Sequence, residues 1–578
     1  MERNAQLGSL GSARRSQLPV KLALLFCFLL AQPIFAQCNP DPQLTSRIEQ
    51  LFSQQNWTEV AHLAAPLPCR TADLNFDFGL ALAHLQQLPA ARTAILAGLH
   101  QNPLQERFPV ELAGVAFEQK HYPEAAAWLR RALKLNPNDE YANNFAATVY
   151  FLMGNTNAAL KYWNRIHKPY IAALEFDSQL RIHRLLLDRA FTFSPAAILR
   201  ESDFAVTKAR LDGLGIFSAS SIALTARPDG SFDADFHAIE RNGFGSTRLQ
   251  ALVSTFGGTF YETIYPSYFN IDRSAMNLES LLRWDSQKLR ARFELSAPLR
   301  NLPQHRWTLA TDERDENWTI RRSFTGVAPT LGSLKLERES VSGSVTSLHS
   351  AAFTWMLGGE LSHRIFRNVD YGSALTPNLA ASGFELKQTA SVHDTLVNIP
   401  EHRFELTIGA SSEAARLWAS HAHLFEKLQG SALAHWFPQA QDNCYELQQQ
   451  LRAGRTFGAA PFDELFMLGV ERDNDLWLRG HIGTRDRQKG SSPLGYNYFL
   501  SNSDFYRRLY TDGLLTIHAG PLLDIGRMVA PTSGLSTQQW MIDAGAEARL
   551  TVLGTSVVLT YGRDLRSGKN AFYATLAK

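Results

Sequence analysis

Few side chains in this 578-residue chain are spaced for covalent chemistry. No Gly-x-Ser-x-Gly elbow presents a nucleophilic serine, no His-Glu-x-x-His offers zinc ligands, and no Cys/His cluster has ligand spacing. His421 and His423 would share a face on a strand and could offer a metal two imidazoles, but no third ligand is evident; the plainer reading is two polar residues facing water. Cys27 falls in an N-terminal apolar run. Cys38 and Cys69 suit a disulfide in an oxidising compartment, or remain two thiols, and Cys444 has no obvious partner. Gln37, before Cys38, is not the small residue that lipid attachment requires. The expectation is no enzyme, no cofactor and no metal. The densest polar chemistry lies in "LWLRGHIGTRDRQKG", residues 476–490, where Leu478-Arg479-Gly480-His481 opens a long excursion of charges and glycines with no hydrophobic period. A guanidinium can fork onto a carboxylate there; an isolated Arg-Gly is equally a solvated loop.

What surrounds that stretch decides its meaning. The length calls for more than one domain. A net charge of +2 gives no reason to expect nucleic acid as a partner. Arg14, Arg15 and Lys21 precede the apolar run Leu22 to Leu30, and Ala36 offers a cleavage point, so residues 1–36 read as an export signal. The run is shorter than the roughly 20 residues that span a bilayer, and no later stretch is long enough.

Residues 44–170 repeat with a period of 34. Gly79, Ala113 and Ala147 fall in register, as do Ala91, Ala125 and Ala159, and then Pro103 and Pro137. Small residues at two offsets let paired helices touch, and the proline ends the second helix. This pattern resembles the tetratricopeptide repeat, which implies an all-α solenoid with a concave surface for a partner protein, or else a rigid spacer.

Residues 178–243 switch period. Arg189 to Phe193 reads as a short strand; Pro195 suits a helix start; Phe204, Ala209 and Leu211 fit a helix face; Phe217 to Thr225 and Phe232 to Ile239 alternate on either side of the turn Arg227-Pro228-Asp229-Gly230. Phe193-Ser194-Pro195, the run Arg210-Leu211 to Leu214-Gly215-Ile216-Phe217 and the Asp233 strand resemble a polypeptide-transport-associated (POTRA) module; an ordinary α+β linker domain is the other reading.

From residue 245 to 578 the pattern alternates. Lys288, Arg290, Arg292, Glu294 and Ser296 interleave with Leu289, Ala291, Phe293, Leu295 and Ala297, and the stretches around Phe404 and Ala544 behave alike. Two faces of opposite character mean two solvents. A soluble sandwich would need a second layer over the apolar face. In an exported chain, a closed antiparallel barrel in lipid satisfies every backbone group. At about 20 residues per strand and connection, ~16 strands fit.

"PFDELFMLGVERDNDLWLRGH", "PLGYNYFLSNSDFYRRL" and "GLLTIHAGPLLDIGRM", in that order, resemble the barrel of the BamA-like outer-membrane superfamily, the bacterial surface antigen family. That resemblance covers residues 185–578 and is strongest from 461 onward. It implies that the excursion folds into the barrel with Leu478, Arg479, Gly480 and His481 as its tip (His481 where an aromatic is usual), and that Arg479 docks on a wall strand through Asp524, with Gly526 alongside. It further implies a protein of the bacterial outer membrane, its N-terminal domains periplasmic, that assists client polypeptides at a weak seam between first and last strands, residues 245–253 and 570–577. A passive pore or structural barrel with a partner-binding periplasmic region is the alternative. The expected partners are outer-membrane lipid, a client polypeptide and a periplasmic protein on the repeats.

Overall fold

The computed structural model describes residues 40–321, 329–419, 422–513, 515–536, 538–552 and 555–577. The expected signal, residues 1–36, lies outside them, as do Cys38 and His421. The chain divides into two compact units, residues 1–120 and 121–578.

The first unit holds helices α1 (Pro42–Ser53), α2 (Trp57–Ala64), α3 (Ala72–His84), α4 (Leu88–Gln101) and α5 (Arg107–Glu118). Asp41, Asn56 and Thr71 start α1, α2 and α3 by accepting a first-turn N–H on the side chain. A Cβ at Gly79 would stand 2.4 Å from Ile95 Cγ1, so the glycine sets how closely α3 approaches α4. Ala91 and Ala113 are fully buried. Cys69 is disulfide-bonded.

The second unit begins with α6 (Tyr122–Leu135), α7 (Glu140–Leu152) and α8 (Thr156–Arg165). Ala125, Ala147 and Ala159, in the 34-residue register, are fully buried, and α6 stops two residues before Pro137. An α/β module follows: β1 (Tyr170–Phe176), α9 (Arg184–Ala190), β2 (Ala197–Ile198), α10 (Glu201–Gly213), β3 (Phe217–Ala226) and β4 (Phe232–Glu240), in sheet order β2-β1-β4-β3. The strand expected at Arg189 to Phe193 is not formed. Leu186, Leu187 and Ala190 bury one helical face there, and the first strand lies ahead of residue 178, where β1 pairs parallel to β4 (Leu174↔Ala234, Phe176↔Phe236). That partner is some sixty residues away, so nothing local marks it.

One antiparallel sheet then runs to the end: β5 (Thr263–Ile264), β6 (Ser267–Ile271), β7 (Met276–Asp285), β8 (Lys288–Leu299), β9 (Leu302–Arg321), β10 (Thr330–Leu348), β11 (Phe353–Asp370), β12 (Gly383–Ile399), β13 (Phe404–Trp418), β14 (Ala422–Trp436), β15 (Tyr445–Gly458), β16 (Asn497–Thr511), β17 (Leu515–Val529), β18 (Trp540–Val552), β19 (Thr555–Asp564) and β20 (Asn570–Ala577). From β6 onward each strand pairs with the next in chain order, and β15 pairs with β16 across the long connection between them (Tyr445↔Arg507 through Arg455↔Asn497). The sheet curls into a barrel. Its sides are inverted relative to a soluble protein. Glu385 and Lys387 on β12 are 0% and 6% exposed, while their neighbours Phe384 and Leu386 are 56% and 48% exposed.

The seam differs from the strand expected at 245–253. Residues Arg248–Phe256 form a helix, α11, started by Thr247, whose side chain accepts the Gln250 N–H. Gly243 bridges Phe269 of β6, and Tyr265 N donates to Thr255 O at 2.9 Å. The helix therefore runs beside β5 and β6, where a first strand was expected. β5 and β6 share one register against β7 (Thr263↔Arg283, Ser267↔Glu279) and count as one strand. With β7 to β20 that makes fifteen wall strands among the described residues, beside the ~16 expected. The last strand, β20, stands beside β5 and closes the barrel.

The turn between β12 and β13 is tied to α8. Asn155 Nδ2 donates to Pro400 O (2.7 Å), Lys161 Nζ pairs with Glu401 (2.7 Å) and Tyr162 OH donates to Glu401 (3.1 Å). Burial pushes the Glu401 carboxyl up, but the hydrogen bond and charge of Lys161, a backbone N–H and the Tyr162 hydroxyl together outweigh it and hold the group below its ordinary 4.5. A depressed carboxylate stabilises above the unfolded value and loses that contribution as pH falls through the folded one. We expect Glu401→Gln to weaken this attachment by about 2 kcal/mol, read as faster proteolysis after α8 at pH 7. The wild type should resist from neutrality down to about pH 4.5 and approach the variant below it.

Candidate functional site

The 38 residues between β15 and β16, 459–496, fold back into the barrel. Their entry is apolar. Phe462 packs edge-on against Trp318 (5.1 Å) within a cluster that includes Leu334, Leu336, Leu379 and Leu465. Phe466–Met467 pairs with Leu494–Gly495, closing the base. A second cluster of Phe466, Leu468, Leu476, Leu478, Tyr498, Leu500, Met528 and Met541 surrounds the stem. Asn474 ties the turn, its amide donating to the carbonyls of Met467, Gly469 and Leu476.

The tip residues and the wall residues meet. Leu478 is fully buried, and a Cβ on Gly526 would press within 3.1 Å of Leu478 Cδ1, so the wall glycine makes room for the tip leucine. Arg479 forks onto Asp524 through Nε (2.9 Å to Oδ2) and Nη2 (2.6 Å to Oδ1), and its backbone N–H donates to Asp524 Oδ2 at 2.9 Å. Nη1 reaches Asp504 (2.5 Å) and Glu547 (3.4 Å). Asn502 donates to both Asp524 (2.7 Å) and Trp477 O (2.8 Å). A Cβ on Gly480 would lie 2.6 Å from Asp543 Cγ, and one on Gly562 would lie 2.2 Å from Arg479 O; the tip seats only against glycine. His481 Nδ1 lies 3.0 Å from Asp543 Oδ2.

Two further anchors escaped the sequence reading. Asp473 accepts from Arg283 (2.8 Å), Arg290 (2.6 Å) and Lys489 (2.7 Å), and Lys489 also donates to Glu316 (2.6 Å). Glu464 pairs with Lys387 (2.7 Å), Arg338 (3.2 Å) and Lys427 (3.4 Å), while its neighbour Asp463 pairs with Arg364 (2.7 Å). The polarity is reversed between anchors. At Arg479 the loop brings the cation and β16 to β18 bring acids; at Asp473 and Glu464 the loop brings acids and β7, β8, β10, β11, β12 and β14 bring cations. The visible signal was the run of basic residues on inward faces, such as Lys288 and Arg290. Their partners lie nearly two hundred residues further on, beyond any local pattern. Trp477 also packs edge-on against Tyr573 of β20 (5.4 Å), so this one segment touches strands near both ends of the sheet.

No family model matches the chain, and no curated protein does. Among solved structures it is similar to BamA from Haemophilus ducreyi lacking POTRA domains 1–3, at 12% identity over 71% of this chain and 84% of that one, with a TM-score of 0.39. It is similar to CdiB from Escherichia coli at 12% identity, 71% and 75% coverage, and a TM-score of 0.45. A shorter likeness is to MamA: 15% identity, 21% of this chain and 73% of that one, TM-score 0.21.

Removing either member of the Arg479–Asp524 pair strands a buried charge, at about 3–5 kcal/mol. We expect Arg479→Ala and Asp524→Ala each to lower the temperature of heat-modifiable mobility in detergent, with the double variant well short of the sum. Arg479→Lys should fall between, because an ammonium cannot span Asp524, Asp504 and Glu547 together. Additive effects would mean the two act independently. Glu464→Gln should speed proteolysis within 461–493 without dissociating the sheet.

Proposed function

We propose that this chain is a bacterial outer-membrane barrel that assists insertion or translocation of client polypeptides. The observation that carries the reading is the inverted sheet: charges paired inside, large apolar side chains such as Leu357, Leu361, Leu424, Leu428 and Trp540 exposed outside. Such a surface is unfavourable in water and favourable in hydrocarbon, and a curled sheet leaves few backbone groups unpaired there. The N-terminal helices would be tetratricopeptide repeats that dock a periplasmic protein, and the module around β1 to β4 a POTRA-like domain. Leu478 to His481 would be the lumen-loop tip, with Asp524 and Gly526 its wall partners. A disulfide joining Cys69 to Cys38 would brace the first helices.

The seam supports the transport reading over a passive pore. A side where the last strand meets only the two-residue β5, with a helix alongside, is a short seam at which a client strand can add. A lumen filled by a loop held at three charged anchors is a poor open channel. The test is reconstitution of the purified protein into vesicles. We expect detergent-only extraction from membranes, low ion conductance, and at least about tenfold faster acquisition of protease protection by an unfolded outer-membrane client than with empty vesicles. Steady large conductance with no effect on the client would favour the pore; a salt-washable protein would overturn both.

A further inference from the structure

Three aspartates stand side by side across three strands. The ladders pair Asp524 of β17 with Asp543 of β18, and Asp543 with Asp564 of β19. All three are buried, at 0%, 0% and 4% exposure. Like charges directly opposite one another repel, and a buried carboxylate without a counter-charge is costly. Asp524 is answered by the Arg479 fork. Among the described residues no lysine or arginine pairs with Asp543 or Asp564; the basic group at hand is the His481 imidazole, beside Asp543.

We propose that His481, Asp543 and Asp564 form a binding site for a divalent transition-metal ion of the zinc class, clamping the loop tip to β18 and β19. One ligand atom from each of the three lies within 4.8 Å of the other two, the spacing at which a single ion reaches all three. The donor set, one imidazole nitrogen and two carboxylate oxygens, suits Zn²⁺, Mn²⁺ or Fe²⁺ better than Ca²⁺ or Mg²⁺, which favour all-oxygen shells. A second observation points to a ligand. Asp543 Oδ2 takes the Gly480 N–H (2.5 Å) and faces His481, while Oδ1 is buried with no hydrogen-bond partner. The outer contacts are those of a held ligand: Asp564 accepts from the backbone N–H groups of Arg566 (3.0 Å) and Ser567 (3.2 Å) and from Ser567 Oγ (2.5 Å), which fix its carboxylate and leave it a lone pair. The other triad of this spacing among the described residues, Glu360, Glu385 and Glu464, shows the contrast. It is ringed by Arg338, Arg364, Lys387 and Lys427 and needs no further cation.

The proposal concerns metal alone and does not depend on the transport reading. The purified full chain in detergent is stripped with EDTA, titrated with Zn²⁺ and assayed for bound metal by mass spectrometry; Co²⁺ serves as a spectroscopic probe on the wild type itself. We expect about one tightly held equivalent, tetrahedral or five-coordinate d–d bands with Co²⁺, and a rise in unfolding temperature on adding Zn²⁺. His481→Ala, Asp543→Asn and Asp564→Asn should each lower affinity at least tenfold, whereas His423→Ala leaves it unchanged. Wild type that binds no more metal than Asp543→Asn, or that gives only the octahedral spectrum of free Co²⁺, overturns the site. An unfolding temperature indifferent to Zn²⁺ overturns it too.

Discussion

Every part of this barrel answers to one electrostatic constraint: a charge removed from water must meet its counter-charge. The sheet turns its apolar side chains outward and so its charged ones inward. Arg283, Arg290, Arg338, Arg364, Lys387 and Lys427 stand on one arc of the inner wall; Asp504, Asp524, Asp543 and Glu547 stand on another. Left alone, neither arc would be tolerable. The returning loop supplies Asp463, Glu464 and Asp473 to the first and Arg479 to the second, and so brings a counter-charge to each arc.

That arrangement also specifies orientation. Rotating the loop within the barrel would set its acids against the acidic arc and its guanidinium against the basic one. Wrong placements are penalised by unpaired and like charges together, which is how polar interiors select one geometry. Shape acts in the same sense. Gly480, Gly526 and Gly562 are spaces in the wall and tip that any Cβ would fill, so the guanidinium reaches Asp524 only when the backbone is fully seated.

The seam is built from weaker material. From β7 onward neighbouring strands share eight or more residues of ladder, whereas α11 touches β5 and β6 through few backbone bonds and buries none of its own residues. A helix satisfies its own hydrogen bonds and can leave a sheet edge without breaking a ladder. Trp477 of the loop packs on Tyr573 of the last strand, so the lock in the lumen and the edge at the seam are in physical contact. On the transport reading, a change at one has a short path to the other.

Much of this could be read along the chain. The 34-residue register falls on alanines that are fully buried. The alternation from residue 276 onward becomes strands with charges in and apolar groups out, because a period of two is a property of each strand by itself. The tip and wall residues were legible only through a resemblance, and Arg479 and Asp524 do lie together. The remainder depended on pairings between distant segments. The first strand of the α/β module exists because residues 170–176 meet residues 232–236. The segment after Thr247 became a helix because its apolar residues, Leu249, Leu252, Val253 and Phe256, repeat at helical spacing. Asp473 and Glu464 became anchors, and three aspartates became neighbours, only when the sheet curled and its registers were set. Local periodicity determines what a segment can be; closure of the sheet determines which charges it must face.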